Sequence, residues 1–223
     1  LPLKMSETSQ EGFDLDENVC FLKVENPKYG TLDCDRSKWE VVFCNSDEKN
    51  AVSEPNGDKG GVGCLFDDDI NSYWHANWSG GTNNDDQFPQ LFQGGREMPI
   101  TIVVDMKESL IVHSIGWTQR QNSDYQDTKK VEYYVSDDEQ FKLGGKEDYS
   151  PVALNNWTFV MERSYQKGYN ATQWQTQSEE VLQKKVKGHL LKVKIVEGYR
   201  DRLASGAELY VKQLLAIDGE PIK

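Results

Sequence analysis

The densest chemistry in this chain lies in the run Leu65-Phe-Asp-Asp-Asp-Ile-Asn-Ser-Tyr-Trp-His-Ala-Asn-Trp78. Three successive carboxylates, Asp67, Asp68 and Asp69, repel one another unless they are solvated or hold a cation. Oxygen ligands at close spacing in a loop are what Ca²⁺ requires, since it gathers about 6–8 of them from carboxylates and carbonyls. On spacing alone a solvated acidic turn is the better reading, and the glycine and terminal glutamate of an EF-hand are missing. Catalytic patterns are absent: there is no G-x-S-x-G, H-E-x-x-H or P-loop. A glycosidase needs two carboxylates facing across a sugar, and nothing selects such a pair from the many acids. The chain is therefore expected not to be an enzyme.

The elements that must position this loop are strands. Trp39–Cys44, Ile100–Asp105, Ile111–Trp117, Lys130–Ser136, Trp157–Met161, Leu191–Ile195 and Glu208–Leu215 are apolar or alternating runs. Val131, Tyr133 and Val135 share one face, and the lysines of Leu191–Ile195 point the other way from its apolar residues. Only Ser178–Lys187 has helical character, with Gly188 as a possible stop. Many short strands without alternating helices predict an antiparallel sandwich or barrel. Residues 1–35 stand apart, as an N-terminal extension or the tail of a preceding immunoglobulin-like domain; residues 36–223 form the main domain. Val19–Val24 is a possible strand of that first segment.

A net charge of −12 over 223 residues disfavours nucleic acid, which needs a basic face, and weakens a role on anionic lipid. No apolar run is long enough for direct membrane insertion. Cys20, Cys34, Cys44 and Cys64 form no C-x-x-C pair, which argues against zinc; disulfides and free thiols both remain open.

From about Trp39 to Ile217 the chain resembles a discoidin (coagulation factor 5/8 type C) domain, most like the carbohydrate-binding family 32 modules of bacterial surface proteins. The resemblance rests on ordered pieces: the Trp39–Cys44 strand, the Asp67–Trp74 loop, Pro99–Met106, Gly116–Arg120, Val131–Asp137, Trp157 and Ala207-Glu208-Leu209. It implies an all-β antiparallel β-sandwich of the galactose-binding-like jelly-roll type. It also implies a structural Ca²⁺ held by the Cys64 carbonyl, the Asp67 side chain, the Asp69 carbonyl, Ser72, the Ala207 carbonyl and the Glu208 carboxylate. Asp68 replaces the usual glycine of that loop. Trp74 is expected in the core.

A sugar site needs an aromatic ring for the apolar face of a pyranose and a few convergent planar polar groups. By resemblance these are His75, Trp78, Arg120 and Asn122, with Tyr125 as an alternative platform and Trp174 and Tyr199 as rim contacts from predicted loops. The Asn- and Asp-rich insert between Gly80 and Met98 could wall or cover the site. The expected function is a non-catalytic module binding a glycan or polysaccharide, attached to other domains of a longer protein that is extracellular, at the bacterial cell surface or periplasmic. A protein-interaction module on the same fold is the alternative.

Overall fold

The computed structural model describes residues 28–48, 61–78, 98–138, 156–200 and 203–222. The expected strand Val19–Val24 and the insert between Gly80 and Met98 lie outside them. The chain is organised around one strand of 19 residues, Ile100–Thr118 (β4). The two strands expected over Ile100–Asp105 and Ile111–Trp117 are thus a single strand that bends. Its first half pairs antiparallel with Glu40–Cys44 (β2) and Lys187–Gly198 (β8). Its second half pairs with Gln173–Thr176 (β7) and Glu208–Ile217 (β10). The register slips between Asp105 and Leu110, where Lys107 takes a φ of 66°. The Asp105 carboxylate supports the bend by accepting from the Lys107 N–H at 2.8 Å and from its ammonium at 2.9 Å.

Two layers result. One runs β2, β4, β8, then Thr128–Ser136 (β5) and Thr158–Ser164 (β6). The other runs Tyr29–Asp33 (β1), β10, β4 and β7. Their facing side chains share one buried cluster: Ile102, Tyr133 and Val193 from the first layer meet Ile115, Trp117 and Val211 from the second. The expected sandwich is therefore present, and Val131, Tyr133 and Val135 face its core together. Within the segment set apart as residues 1–35, β1 pairs along β10 of the main domain. Two short strands complete the site end, Trp74–His75 (β3) and Ser205–Gly206 (β9), paired with each other. Gly206 is required there: a Cβ would stand 2.2 Å from the Trp117 ring.

The helix is shorter than expected, Glu179–Gln183 (α1). The left-handed Lys185 (φ 48°) follows it, and Gly188 is already inside β8 rather than a stop. A Cβ on Gly188 would lie 2.8 Å from the Ser136 backbone, so glycine serves strand packing there. Cys34 and Cys44 are free thiols, and Cys20 lies outside the described residues.

Lys192 points away from the core, as the alternation predicts, yet it is only 4% exposed. Its ammonium sits 4.1 Å from the Tyr134 ring centroid and 4.5 Å from that of Trp157. Burial, aided by Lys194 and opposed by Glu132, lowers its pKa from 10.5 to about 8. Between those values the unfolded chain binds the proton that the folded chain has lost, so stability rises with pH through that window. The contribution is on the order of 2–3 kcal/mol at full extent. Chemical denaturation from about pH 8 to 9.5, below the tyrosine range, should give the parent a more positive slope than Lys192→Met, the comparison cancelling the Cys34 and Cys44 thiols, whose raised pKa values act in the opposite sense in both proteins. Equal slopes would refute it.

Candidate functional site

The acidic loop begins after a 3-10 turn at Val62–Leu65. Asp67 organises it: one carboxylate oxygen accepts from the Asp69 N–H at 2.9 Å, the other from the Ser72 hydroxyl at 2.7 Å. The Ser72 hydroxyl also lies 3.5 Å from the Cys64 carbonyl, and the Ser72 N–H donates to the Asp69 carbonyl at 2.9 Å. Asp68 takes a φ of 61°, the left-handed conformation that glycine adopts freely. From the other end of the chain, Glu208 brings a fully buried carboxylate beside Asp67.

Arg36, which the sequence did not single out, shares this corner. Its Nη1 donates to Glu208 Oε2 at 2.5 Å, to the Leu209 carbonyl at 2.9 Å and to the Leu65 carbonyl at 3.1 Å. Its Nη2 donates to the Asp68 carboxylate. The second Glu208 oxygen, Oε1, is buried with no hydrogen-bond partner among the described residues. Burial pushes the Glu208 carboxyl up to about 7, with Arg36 opposing and Asp67 adding to the rise. An unpartnered buried oxygen next to a second carboxylate is an arrangement that a cation would relieve. Among the described residues no three His, Cys, Asp or Glu side chains gather at metal-binding distance. The expected Ca²⁺ set contains only two carboxylates, its remaining ligands being carbonyls and a hydroxyl.

At the β3 end a second constellation forms. Trp74 is fully buried, so Tyr73 and His75, on either side of it, turn to the opposite face. Arg120, just beyond β4, spans them: Nη1 lies 2.5 Å from His75 Nε2 and Nη2 donates to the Tyr73 hydroxyl at 3.0 Å. Its guanidinium stands 3.9 Å from the Tyr73 ring centroid. Nε donates to the Asn122 side-chain oxygen, and Asn122 Nδ2 lies 3.4 Å from the Tyr73 hydroxyl. Because arginine only donates, His75 Nε2 accepts, which makes the imidazole neutral with its proton on Nδ1.

Buried polar ties hold this cluster in place. Ser205, paired with His75, donates through Oγ to the Gln126 carbonyl at 3.0 Å, and its own carbonyl accepts from Thr128 Oγ1 at 2.9 Å. Gln119 is fully buried and closes the loop that carries Arg120. Its Nε2 donates to the Thr128 carbonyl at 2.7 Å, and its Oε1 accepts from Trp117 Nε1 at 3.1 Å and the Thr128 N–H at 3.2 Å. Gln119→Leu would strand these three groups and should cost about 2–4 kcal/mol, with the Arg120 loop loosened. Denaturant unfolding measures the loss; a cost below about 0.5 kcal/mol would show that the loop does not depend on this side chain.

Of the five expected ligand-binding residues, the structure brings together His75, Arg120 and Asn122, and adds Tyr73. Trp78 is 38% exposed, with its N–H bound by Glu48. The Tyr125 ring lies under the Arg200 guanidinium at 3.4 Å. A cavity of about 270 Å³ opens at this end, lined by Arg120, Asn122, Ser123, Asp124 and Gly168 among others. Asp127 fixes its far wall by accepting from the Gly168 N–H at 2.6 Å. Tyr199 donates to the Tyr165 carbonyl, and Trp174, expected in a loop, lies in β7 on the face of the second layer. Trp157 packs near Lys192 instead.

The two antiparallel layers built on a shared bent strand match the fold of solved discoidin, or factor 5/8 type C, domains. The C-terminal domain of a Bacteroides fragilis chitobiase superposes with a TM-score of 0.58 and 18% identity, covering 83% of this chain and 100% of that one. A family 32 carbohydrate-binding module of Clostridium perfringens NanJ, solved with galactose, gives 0.55 and 18%, covering 82% and 99%. Another C. perfringens module, solved with GalNAc-β-1,3-galactose, gives 0.56 and 17%, covering 81% and 99%. No protein-family model and no curated protein matches the sequence.

Proposed function

We propose that this chain is a non-catalytic carbohydrate-binding module with a structural Ca²⁺ site, working outside the cytoplasm as part of a longer protein. The observation that carries the reading is the Tyr73–His75–Arg120–Asn122 cluster beside a cavity of about 270 Å³ at the loop end of the sandwich. A guanidinium 3.9 Å from the Tyr73 ring centroid is a planar donor group for neighbouring hydroxyls, and the Asn122 amide adds a donor and an acceptor. Solved structures with this fold hold galactose and GalNAc-β-1,3-galactose, which agrees with that chemistry.

Ca²⁺ would be held by Cys64, Asp67, Asp69, Ser72, Ala207 and Glu208. The unpartnered Glu208 Oε1 beside Asp67 supports it. The ion would contribute positive charge that ties the last long strand to the early loop, while Arg36 keeps the other oxygen of Glu208. Its role is structural.

A glycan array probed with the purified chain in Ca²⁺-containing buffer tests the reading. Selective binding is the expected result. Silence across the array would overturn it and turn attention to a protein partner.

A further inference from the structure

A second concave site lies on the outer face of the layer built from β1, β10, β4 and β7. Across that face Trp174, Gly116 and Tyr210 form one cross-strand row. Gly116 makes room for the indole: a Cβ there would stand 3.1 Å from two Trp174 ring atoms and 2.7 Å from Thr172. The two rings lean together over the glycine, their centroids 6.0 Å apart and their planes inclined by 37°. Trp174 remains 39% exposed. A cavity of about 370 Å³ opens against this pair, with Asp33, Asp35, Asp68 and Arg36 on its rim. It shares no lining residue with the Arg120 cavity.

The polar groups differ from those of the first site. Arg36 is committed to Glu208, Asp68 and two carbonyls, with its guanidinium 4.1 Å above the Tyr210 ring. Lys212 lies 4.5 Å from the Trp174 ring and 3.8 Å from the Asp33 carboxylate. What the rim offers to a ligand is therefore carboxylate oxygen: the side chains of Asp33 and Asp68 are about three-quarters exposed. Carboxylates accept from vicinal hydroxyls, an aromatic shelf takes the C–H face of a ring, and the volume falls in the small-ligand range.

We propose that the Trp174–Tyr210 shelf is a second saccharide site, selective for uncharged pyranoses and against uronic acids. The selectivity follows from the charge balance of the rim: Asp33, Asp35 and Asp68 outnumber Arg36 and Lys212 by one, and that surplus negative charge repels a further carboxylate by about 1 kcal/mol at contact distance in water. The site deepens the reading of the chain as a sugar binder without requiring that Arg120 be engaged.

Amide and indole N–H resonances of the intact chain would be followed during titration with galactose, N-acetylglucosamine and galacturonic acid. The Trp174 indole signal is expected to move saturably with at least one uncharged sugar at roughly millimolar concentration, in the parent and in Arg120→Ala alike. Galacturonic acid should bind about fivefold more weakly. Trp174→Ala serves to assign the signal and to remove the site. If the Arg120 cluster responds and the Trp174 indole stays still up to about 20 mM, well above the millimolar range, the second site is refuted and the first stands. Movement at Trp174 alone upholds it and stillness at both refutes it, while the Arg120 reading is decided by the glycan array. Tightest binding by galacturonic acid overturns the selectivity.

Discussion

Arg120→Ala is expected to abolish glycan binding while leaving the sandwich folded. The side chain is half-buried and contributes its interactions to Tyr73, His75 and Asn122, all at the loop end and none in the shared core. Two charge-assisted hydrogen bonds to a bound sugar are worth about 1.5–3 kcal/mol each. Their loss corresponds to at least roughly a 100-fold fall in affinity. Lysine would restore the charge without the planar fork, so Arg120→Lys should recover only part of it. Calorimetric titration with the best sugar from the array, beside thermal melts of each variant, provides the measurement. An alanine variant that binds within about threefold of the parent would remove Arg120 from the site.

The second large effect concerns Ca²⁺. Adding the ion to metal-stripped protein should raise Tm, because a ligand bound only by the folded state at about 100 times its Kd stabilises by about 2.7 kcal/mol. For a chain of this size that amounts to roughly 5–10 °C. Glu208→Gln should cancel the shift, since the carboxylate whose Oε1 lacks a partner is the one removed. The same variant weakens the pair with Arg36 and should lower the metal-free Tm on its own account. The readout is therefore the increment produced by Ca²⁺, not the absolute Tm. A parent protein whose Tm ignores Ca²⁺, with Mg²⁺ as control, would mean that Arg36 alone satisfies this corner.

Much of this was legible in the sequence, for identifiable reasons. The strands followed from period-two alternation, and the order of motifs predicted which loops meet. His75, Arg120 and Asn122 came together as expected. Tyr73 was missed although its signal was present: if Trp74 faces the core, both its neighbours must face the other way. Arg36 carried no such signal. Its partner Glu208 is 172 residues distant, and a lone arginine before a strand says nothing about what it will meet. The continuity of β4 was hidden for a similar reason. The polar stretch Lys107-Glu-Ser109 looks like a turn, but here it is a bend supported by Asp105 and Glu40. Trp174 was placed in a loop because its strand is only four residues long and otherwise polar.

That bend has a consequence for how the molecule comes apart. Because β4 supplies a member to each layer, the layers cannot separate like the covers of a book without breaking the spine they share. Opening either one exposes strand edges belonging to the other, so partial unfolding is penalised on both sides at once. The backbone amides of Ile102–Val104 and of Ile115–Trp117, on opposite sides of the bend, would then become accessible to solvent deuterium only in a common, whole-domain event. A fold assembled from two sheets would in this way behave as a single cooperative unit, and the Arg120 cluster would stand on a support that does not open locally.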